Sequence, residues 1–403
     1  MEKKERFIFK GITLNVFLLG IVSLLNDVSS EMVYPLLPIF LTSVLSAKTT
    51  FIGVIEGIAE TTASILQIFA GWLSDRWAVR KPIVVFGYSL SSLARPVLSI
   101  VKAPWHVLII RFADRFGKGM RGAPRDAIVA DSTPEEFRGR AFGFHRALDN
   151  LGAAIGPILA TALLFALKEN YEKLRLIFFL ASIPALLSLF ALIFVRERKP
   201  ERKEGAPPVK LTLRPFDQRF KLFLLIVIIF TLGNSSDAFL LLRAKNIGIS
   251  LSLIPMLWFA LDMTRTLFSM PAGIISDRVG RRYVIVLGWL IYALTYFGFA
   301  FSSQPIHIWL LFILYGFYYS LTEGTERAFI ADLVPSELRA TAYGIYRFAI
   351  GVGAFPASVI FGAIWQWKGP ISAFTFGASL AFLASILLLA LVKESRPRDL
   401  REV

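Results

Sequence analysis

Apolar stretches of helical length run along almost the whole chain, broken by short polar segments. A helix crosses a bilayer with about 20 mostly apolar residues, whereas a barrel strand needs about ten. Read on that scale, the pattern predicts twelve helical spans, at 12–42, 50–74, 82–101, 104–131, 139–167, 174–195, 219–247, 251–275, 282–301, 305–332, 340–366 and 370–392. Hydrocarbon cannot satisfy open backbone groups, so the expected fold is all-α and integral to a membrane.

The polar breaks are not alike. Lys and Arg gather at the N-terminus, in the loops that follow even-numbered spans, and at the C-terminus. The opposite loops carry few, among them Lys48, Lys102, Lys168 and Lys368. This bias predicts that both termini are cytoplasmic, in a cell (inner or plasma) membrane. The longest break, RERKPERKEGAPPVKLTLRPFDQ at 196–218, is rich in charge and proline and falls in mid-chain. It reads as a cytoplasmic linker (197–218) between an N-terminal six-helix bundle (1–196) and a C-terminal one (219–403).

The halves repeat each other. ADSTPEEFRGRAFGFHR at 130–146 aligns with ADLVPSELRATAYGIYR at 331–347, an offset of 201. GWLSDRWAVRK at 71–81 aligns with GIISDRVGRRY at 273–283, and His106 and His307 share the first offset. Two like halves in the same orientation imply a pseudo-two-fold axis along the membrane normal, an architecture used by secondary transporters.

Composition narrows the chemistry. Charged residues make up 18% of the chain, below the usual quarter, and mean hydropathy is +0.62. The net charge of +15 would suggest a nucleic-acid partner in a soluble protein; here it reads as cytoplasmic loops, and no nucleic acid is expected. There is no Cys, and the three His are far apart, so no metal site is expected. GKGMRGAP at 117–124 lacks the G-x-x-x-x-G-K-[ST] of a phosphate loop. With no nucleophile motif either, an enzyme is not expected, and no cofactor beyond a proton gradient.

Charges inside spans are informative because each costs about 2.5–3.5 kcal/mol at a helix centre on insertion scales. The first span carries Asn26, Asp27, Ser29, Ser30 and Glu31, with Asp27 and Glu31 one turn apart on one face. The seventh echoes it in GNSSDAF, with Asn234, Ser235, Ser236 and Asp237. Buried carboxyl groups take up protons more readily than exposed ones. Asp27, then Glu31, are the candidate proton carriers; the same residues would also serve as a polar network fixing helix packing. Glu56, Glu60 and Asp262 read as structural, and Asp149 on the fifth span is placed to pair with a cation of the fourth.

That fourth span contains IIRFADRFGKGMRGAPRDAIVAD at 109–131. At about 100° per residue, Arg111, Arg115, Lys118, Arg121 and Arg125 form one basic stripe. At least two of these should be paired within the protein, Arg125 among them; Arg111, Arg115 and Lys118 are the candidates to meet substrate, with Arg115 and Lys118 as its binding groups and Arg121 and Arg125 left open. At the repeat offset the tenth span offers Tyr319, Glu323 and Glu326 instead, with Glu323 beside Arg327. One half should therefore be basic and the other acidic and aromatic. Asn26, Asn234, Asp237, Tyr319, Glu323 and Glu326 complete the candidate substrate-binding set.

Three motifs resemble those of the major facilitator superfamily, over essentially the whole chain. The loop after the second span, GWLSDRWAVRK, is similar to the family's G-x-L-a-D-r-x-G-r-k through Gly71, Leu73, Asp75, Arg76, Arg80 and Lys81, with Ala78 where the family has Gly. Its second copy keeps Gly273, Asp277, Arg278, Gly280 and Arg281. Arg111, Gly117, Gly119 and Asp131 resemble the fourth-span motif. Gly143, Gly152, Gly156 and Pro157 resemble the fifth-span antiporter motif, whose last two glycines are here Ala160 and Thr161. The resemblance implies that spans 1, 4, 7 and 10 line the transport cavity and that Arg111 serves proton coupling; with the carboxylates read above, the candidate proton-coupling residues are Asp27, Glu31, Arg111 and Asp149. It implies gating by Gly71, Asp75, Arg76, Asp277 and Arg278 in the loops and by Gly152, Gly156 and Pro157 in the fifth span.

The expected function is a proton-coupled secondary transporter working by alternating access, an antiporter exporting small organic solutes or drugs. The competing expectation is a permease or symporter for small organic anions held by the basic stripe. A small-molecule substrate and the lipid bilayer are the expected partners, with the monomer as functional unit.

Overall fold

The computed structural model describes residues 7–9, 11–77, 79–197, 213–335 and 338–392, without the side chains of Phe7, Trp72, Asp75, Glu135 and Ala340. Most of the expected linker, and Ala78 of the loop motif, lie outside the described residues. Apart from a short antiparallel pair, β1 (Phe7–Phe9) and β2 (Ile12–Thr13), these residues form helices and connections. The helices are α1 (Leu14–Val33), α2 (Leu37–Ser43), α3 (Thr49–Trp77), α4 (Lys81–Leu98), α5 (Pro104–Asp131), α6 (Arg138–Ala166) and α7 (Leu174–Ile193). They continue as α8 (Gln218–Gly233), α9 (Ala238–Asn246), α10 (Ile254–Val279), α11 (Arg281–Phe301), α12 (Pro305–Leu333) and α13 (Arg339–Leu391).

Local chemistry sets the boundaries. The Thr13 side chain accepts the Val16 N–H to start α1, and Asp217 accepts the Phe220 N–H to start α8. Proline stands in the first turn of α4, α5 and α12, where its missing N–H costs nothing. Tyr34–Leu36 is a single 3-10 turn containing Pro35, which divides the first span into α1 and α2. The seventh span breaks at Asn234, with φ −94° and ψ 86°, into α8 and α9. Helix α13 runs for 53 residues, about 80 Å if straight and far beyond a bilayer core of about 30 Å. It turns at Gly369, whose φ of +81° suits glycine, just before Pro370.

Among the described residues, nine helical segments are long and apolar enough to cross a membrane. One of these is the doubled stretch Thr341–Leu391, and α4 and α5 are not among the nine. In α5 the reason is its charge, which the interior of the fold accommodates. Large apolar side chains such as Phe190, Met270 and Trp367 are 61%, 76% and 85% exposed. A soluble protein rarely leaves so much apolar surface uncovered.

The chain divides into two compact units. The first comprises 1–209 and 236–259, and the second 210–235 and 260–403. In the first, α5 packs on α3 and α4, and α1 on α6 and α7. In the second, α13 packs on α8 and α11, and α11 on α12.

The sequence repeat is a repeat of contacts. Arg80 pairs with Asp131 and donates to the Ala127 carbonyl. Arg281, 201 positions on, pairs with Asp332 at 2.8 Å and donates to the Ala328 carbonyl. Each loop-motif arginine thus clamps the end of a helix in its own unit. Glycine contacts repeat as well. A Cβ on Gly87 of α4 would lie 2.6 Å from the Gly117 carbonyl of α5. One on Gly288 of α11 would lie 2.5 Å from the Thr322 methyl of α12.

Candidate functional site

The first unit holds a charged interior built around α5. Glycines fix its geometry. Gly119 sits against Ala63 and Leu66 of α3, and Gly117 against Gly87 and Ser91 of α4. Both lie about 100° from Lys118 around the helix, on opposite sides, so Lys118 points away from both contacts. Its side chain is exposed, midway along α5, between two buried glycines.

The five cations of the stripe divide into two groups. Arg111 is held by Glu56 of α3 in a forked pair, with Nη2 2.8 Å from Oε2 and Nε 3.2 Å from Oε1. Both side chains are only 7% exposed, and Asp114 stands 3.5 Å from Arg111 Nη1. Arg121 donates to Ser91 at 2.6 Å and lies over the Tyr88 ring. Arg125 pairs with Asp126 at 2.9 Å and donates to Ser23 of α1. These three are occupied, Arg125 among them as expected.

Arg115 and Lys118 differ. Neither has a side-chain hydrogen bond or ion pair among the described residues. Arg115 lies 5.9 Å from the centre of the Tyr34 ring, and its buried Nε has no hydrogen-bond partner. Lys118 is within electrostatic reach of Asp27 and Glu60.

The α1 carboxylates face the same interior. Asp27 accepts from Asn26 at 3.2 Å, and Asn26 accepts from buried Arg95 of α4 at 3.2 Å. Glu31 accepts from the Trp258 indole at 2.9 Å, and that ring lies 5.0 Å from Tyr34. Helix α6 presses its glycines onto this turn. A Cβ on Gly152 would lie 3.0 Å from Asp27 Cβ, and one on Gly156 2.7 Å from Glu31 Cβ. Pro157 is buried beside them in α6. Asp149 lies within electrostatic reach of Arg125 of α5, and its Oδ2 stands 3.7 Å from His145 Nδ1, one turn away on its own helix.

The second unit departs from the expected acidic wall. Glu323 pairs with Arg265 of α10 at 2.5 Å and with Arg327 at 3.5 Å. Asp262 stands 3.8 Å from Arg265, which also lies 5.0 Å from the Tyr319 ring. Glu326 accepts from Trp289 at 2.9 Å and from Tyr346. Glu323 is compensated by Arg265 of α10 and by Arg327 of its own helix, and Glu326 by neutral hydrogen-bond donors. The aromatic character holds, with Tyr292, Tyr296, Tyr315, Tyr318 and Tyr319 in one cluster. Asn234 donates to the Tyr318 hydroxyl at 3.3 Å. Asp237 starts α9 in the first unit, within electrostatic reach of Tyr34.

Of the loop residues, Gly71 faces Ala123 of α5, Arg76 ends α3, and Asp277 lies 3.5 Å from Arg281. Arg278 is exposed, and the Asp75 side chain lies outside the described residues. Sequence reasoning missed Tyr34, Arg95, His145, Trp258 and Arg265 as members of these clusters. Arg95 and Arg265 carried a usable signal, since each is an isolated cation in an apolar span. The aromatic residues carried none.

The description Major Facilitator Superfamily belongs to a family model that matches residues 19–261 and 222–403. The chain belongs to this superfamily. It is therefore a multi-pass membrane transporter, not an enzyme. It is 36% identical to an uncharacterized MFS-type transporter of Methanocaldococcus jannaschii, over 94% of this chain and 95% of that one. It is 24% identical to a cis,cis-muconate transport protein of Acinetobacter baylyi, over 86% of each. The crystal structure of the nucleoside transporter NupG superimposes with a TM-score of 0.77 at 14% identity, covering 95% of this chain and all of that one. That likeness concerns the fold.

Proposed function

We propose that this transporter carries a small organic anion, bound through a carboxylate or phosphate by Arg115 and Lys118, together with a proton. The observation that carries the reading is the division of the α5 stripe. Three cations are held by ion pairs, a serine hydroxyl or an aromatic face, and the two left without a hydrogen bond or ion pair among the described residues are adjacent on the helix surface. The buried Arg115 Nε lacks a hydrogen-bond partner and the Lys118 ammonium is open beside it, so an anionic ligand is their natural complement. The muconate transport relative, named for a dicarboxylate cargo, supports the same class.

Coupling follows from charge balance. Lys118 lies within electrostatic reach of Asp27. An anion arriving at Lys118 competes for that cation, and the carboxylate then gains by taking up a proton. Binding should therefore be accompanied by proton uptake. Twelve spans in two six-helix bundles, both termini cytoplasmic and a monomer working by alternating access in the cell membrane complete the reading. The gating roles of Gly71, Asp75, Arg76, Asp277 and Arg278 and the substrate contacts of Asn26, Asn234, Asp237, Tyr319, Glu323 and Glu326 belong to it.

A proton-coupled antiporter exporting organic solutes is the second reading. It is favoured by the α6 glycines packed against Asp27 and Glu31. The sign of proton movement separates the two. Purified protein in weakly buffered solution should take up protons on addition of a dicarboxylate such as cis,cis-muconate under the first reading. Proton release would favour antiport.

Two variants test the assignment. Arg115→Ala and Lys118→Ala should each weaken anion binding about 10- to 100-fold, the size of one charge-assisted hydrogen bond. Calorimetric titration measures this, and unchanged affinity in both would remove the anion site. Asp27→Asn should abolish proton-driven accumulation in proteoliposomes while leaving the protein folded. Normal accumulation would remove Asp27 from the coupling path.

A further inference from the structure

The α6 pair His145 and Asp149 does not contact the anion site described above, yet it is a further buried titratable cluster among the described residues of the first unit. His145 is 4% exposed. Its Nδ1 lies 3.7 Å from Asp149 Oδ2. The outer atom of each group, His145 Nε2 and Asp149 Oδ1, is buried without a hydrogen-bond partner. Buried polar atoms are seldom left so, because each costs about 1–3 kcal/mol. A dyad with an open acceptor at one end and an open imidazole nitrogen at the other has the two ports that a proton relay requires.

Its position fits that use. Asp149 lies within electrostatic reach of Asp27. Gly152, three residues along α6, touches the Asp27 Cβ. His145 is one turn nearer the start of α6, about 10 Å from Arg138 at 1.5 Å per residue. The loop before α6 is on the cytoplasmic side in the proposed orientation. The groups around His145 are Arg125 and Asp126 of α5 and Arg146 and Asp149 of its own helix, while α1 presents Asp27 toward Asp149.

We infer that His145 and Asp149 form a relay passing protons between Asp27 and the cytoplasm, an inference that rests on the proton-coupled reading. Asp149 takes the proton from Asp27 and gives it to His145 Nδ1. The imidazolium then gives up the proton on Nε2 toward the loop, so that one proton enters the dyad and one leaves. Rotation of the ring restores the starting tautomer. His145 and Asp149 are positioning and relay residues, and neither touches the anion.

The test separates proton movement from substrate movement. Counterflow of labelled cis,cis-muconate between equal internal and external pools needs no net proton transfer; accumulation driven by an imposed pH gradient does. In His145→Gln and Asp149→Asn, counterflow should stay within about twofold of wild type, while proton-driven accumulation falls by about tenfold or more, the scale of a lost acid–base group. Thermal unfolding in detergent checks that both variants are folded. Unchanged accumulation in both variants overturns the relay. Loss of counterflow in both also overturns it, since the pair would then be holding α1 and α6 together. A wild type that exchanges muconate but moves no proton overturns the relay along with the coupled reading, and is distinguished by failing before any substitution is made.

Discussion

Arg111→Met is expected to destabilise the protein by about 3–5 kcal/mol, the loss typical when one partner of a buried ion pair is removed. Glu56 would keep its charge at 7% exposure with nothing opposite. Desolvation of the pair has already been met in the native fold by the forked geometry and by Asp114. Removing the guanidinium forfeits that compensation while the cost to Glu56 remains. The double substitution Arg111→Met with Glu56→Met should recover much of the loss, because it removes both charges at similar volume. Thermal unfolding in detergent across the four-member cycle measures the interaction. A double variant no more stable than Arg111→Met would show that the pair is not the source of the stability. If the double variant folds but cannot accumulate substrate, the pair also serves coupling, the role that family resemblance implies for Arg111.

Gly156→Ala is expected to cost about 1–3 kcal/mol and to impair transport, although alanine is the better helix former. The added methyl would lie 2.7 Å from both Glu31 Cβ and the Val28 carbonyl. The carbonyl is backbone and cannot swing aside, so α1 and α6 must separate at the turn that carries Glu31. Gly143, in the same sequence motif, has nothing within 4 Å of its notional Cβ. Gly143→Ala should therefore be neutral or stabilising by up to about 1 kcal/mol. Unfolding temperature and initial transport rate, measured side by side, check the contrast. Equal behaviour of the two variants would mean that the close α1–α6 crossing does not limit the protein.

That contrast shows where reading of the chain stops. The motif marks Gly143, Gly152 and Gly156 alike, but only the crossing of α1 and α6 distinguishes them. The basic stripe was legible because helical periodicity alone places five cations on one arc. Its division into occupied and open members was not, since Glu56, Ser91 and Ser23 come from three other helices. Arg265 shows the same limit in the second unit. The tenth span reads as acidic on its own and is neutralised by a residue 58 positions away.

The sequence by itself determined the helical membrane character, the internal repeat and the superfamily. Each of these is written in local periodicity, composition or contiguous motifs. It also determined the cost of the charges on α1 and α5, which follows from burying them in any apolar span. The tertiary structure decided which charges cancel and which glycines are contacts. Ion pairing and close packing depend on distances of a few ångströms between helices remote in the chain, and no single segment encodes them.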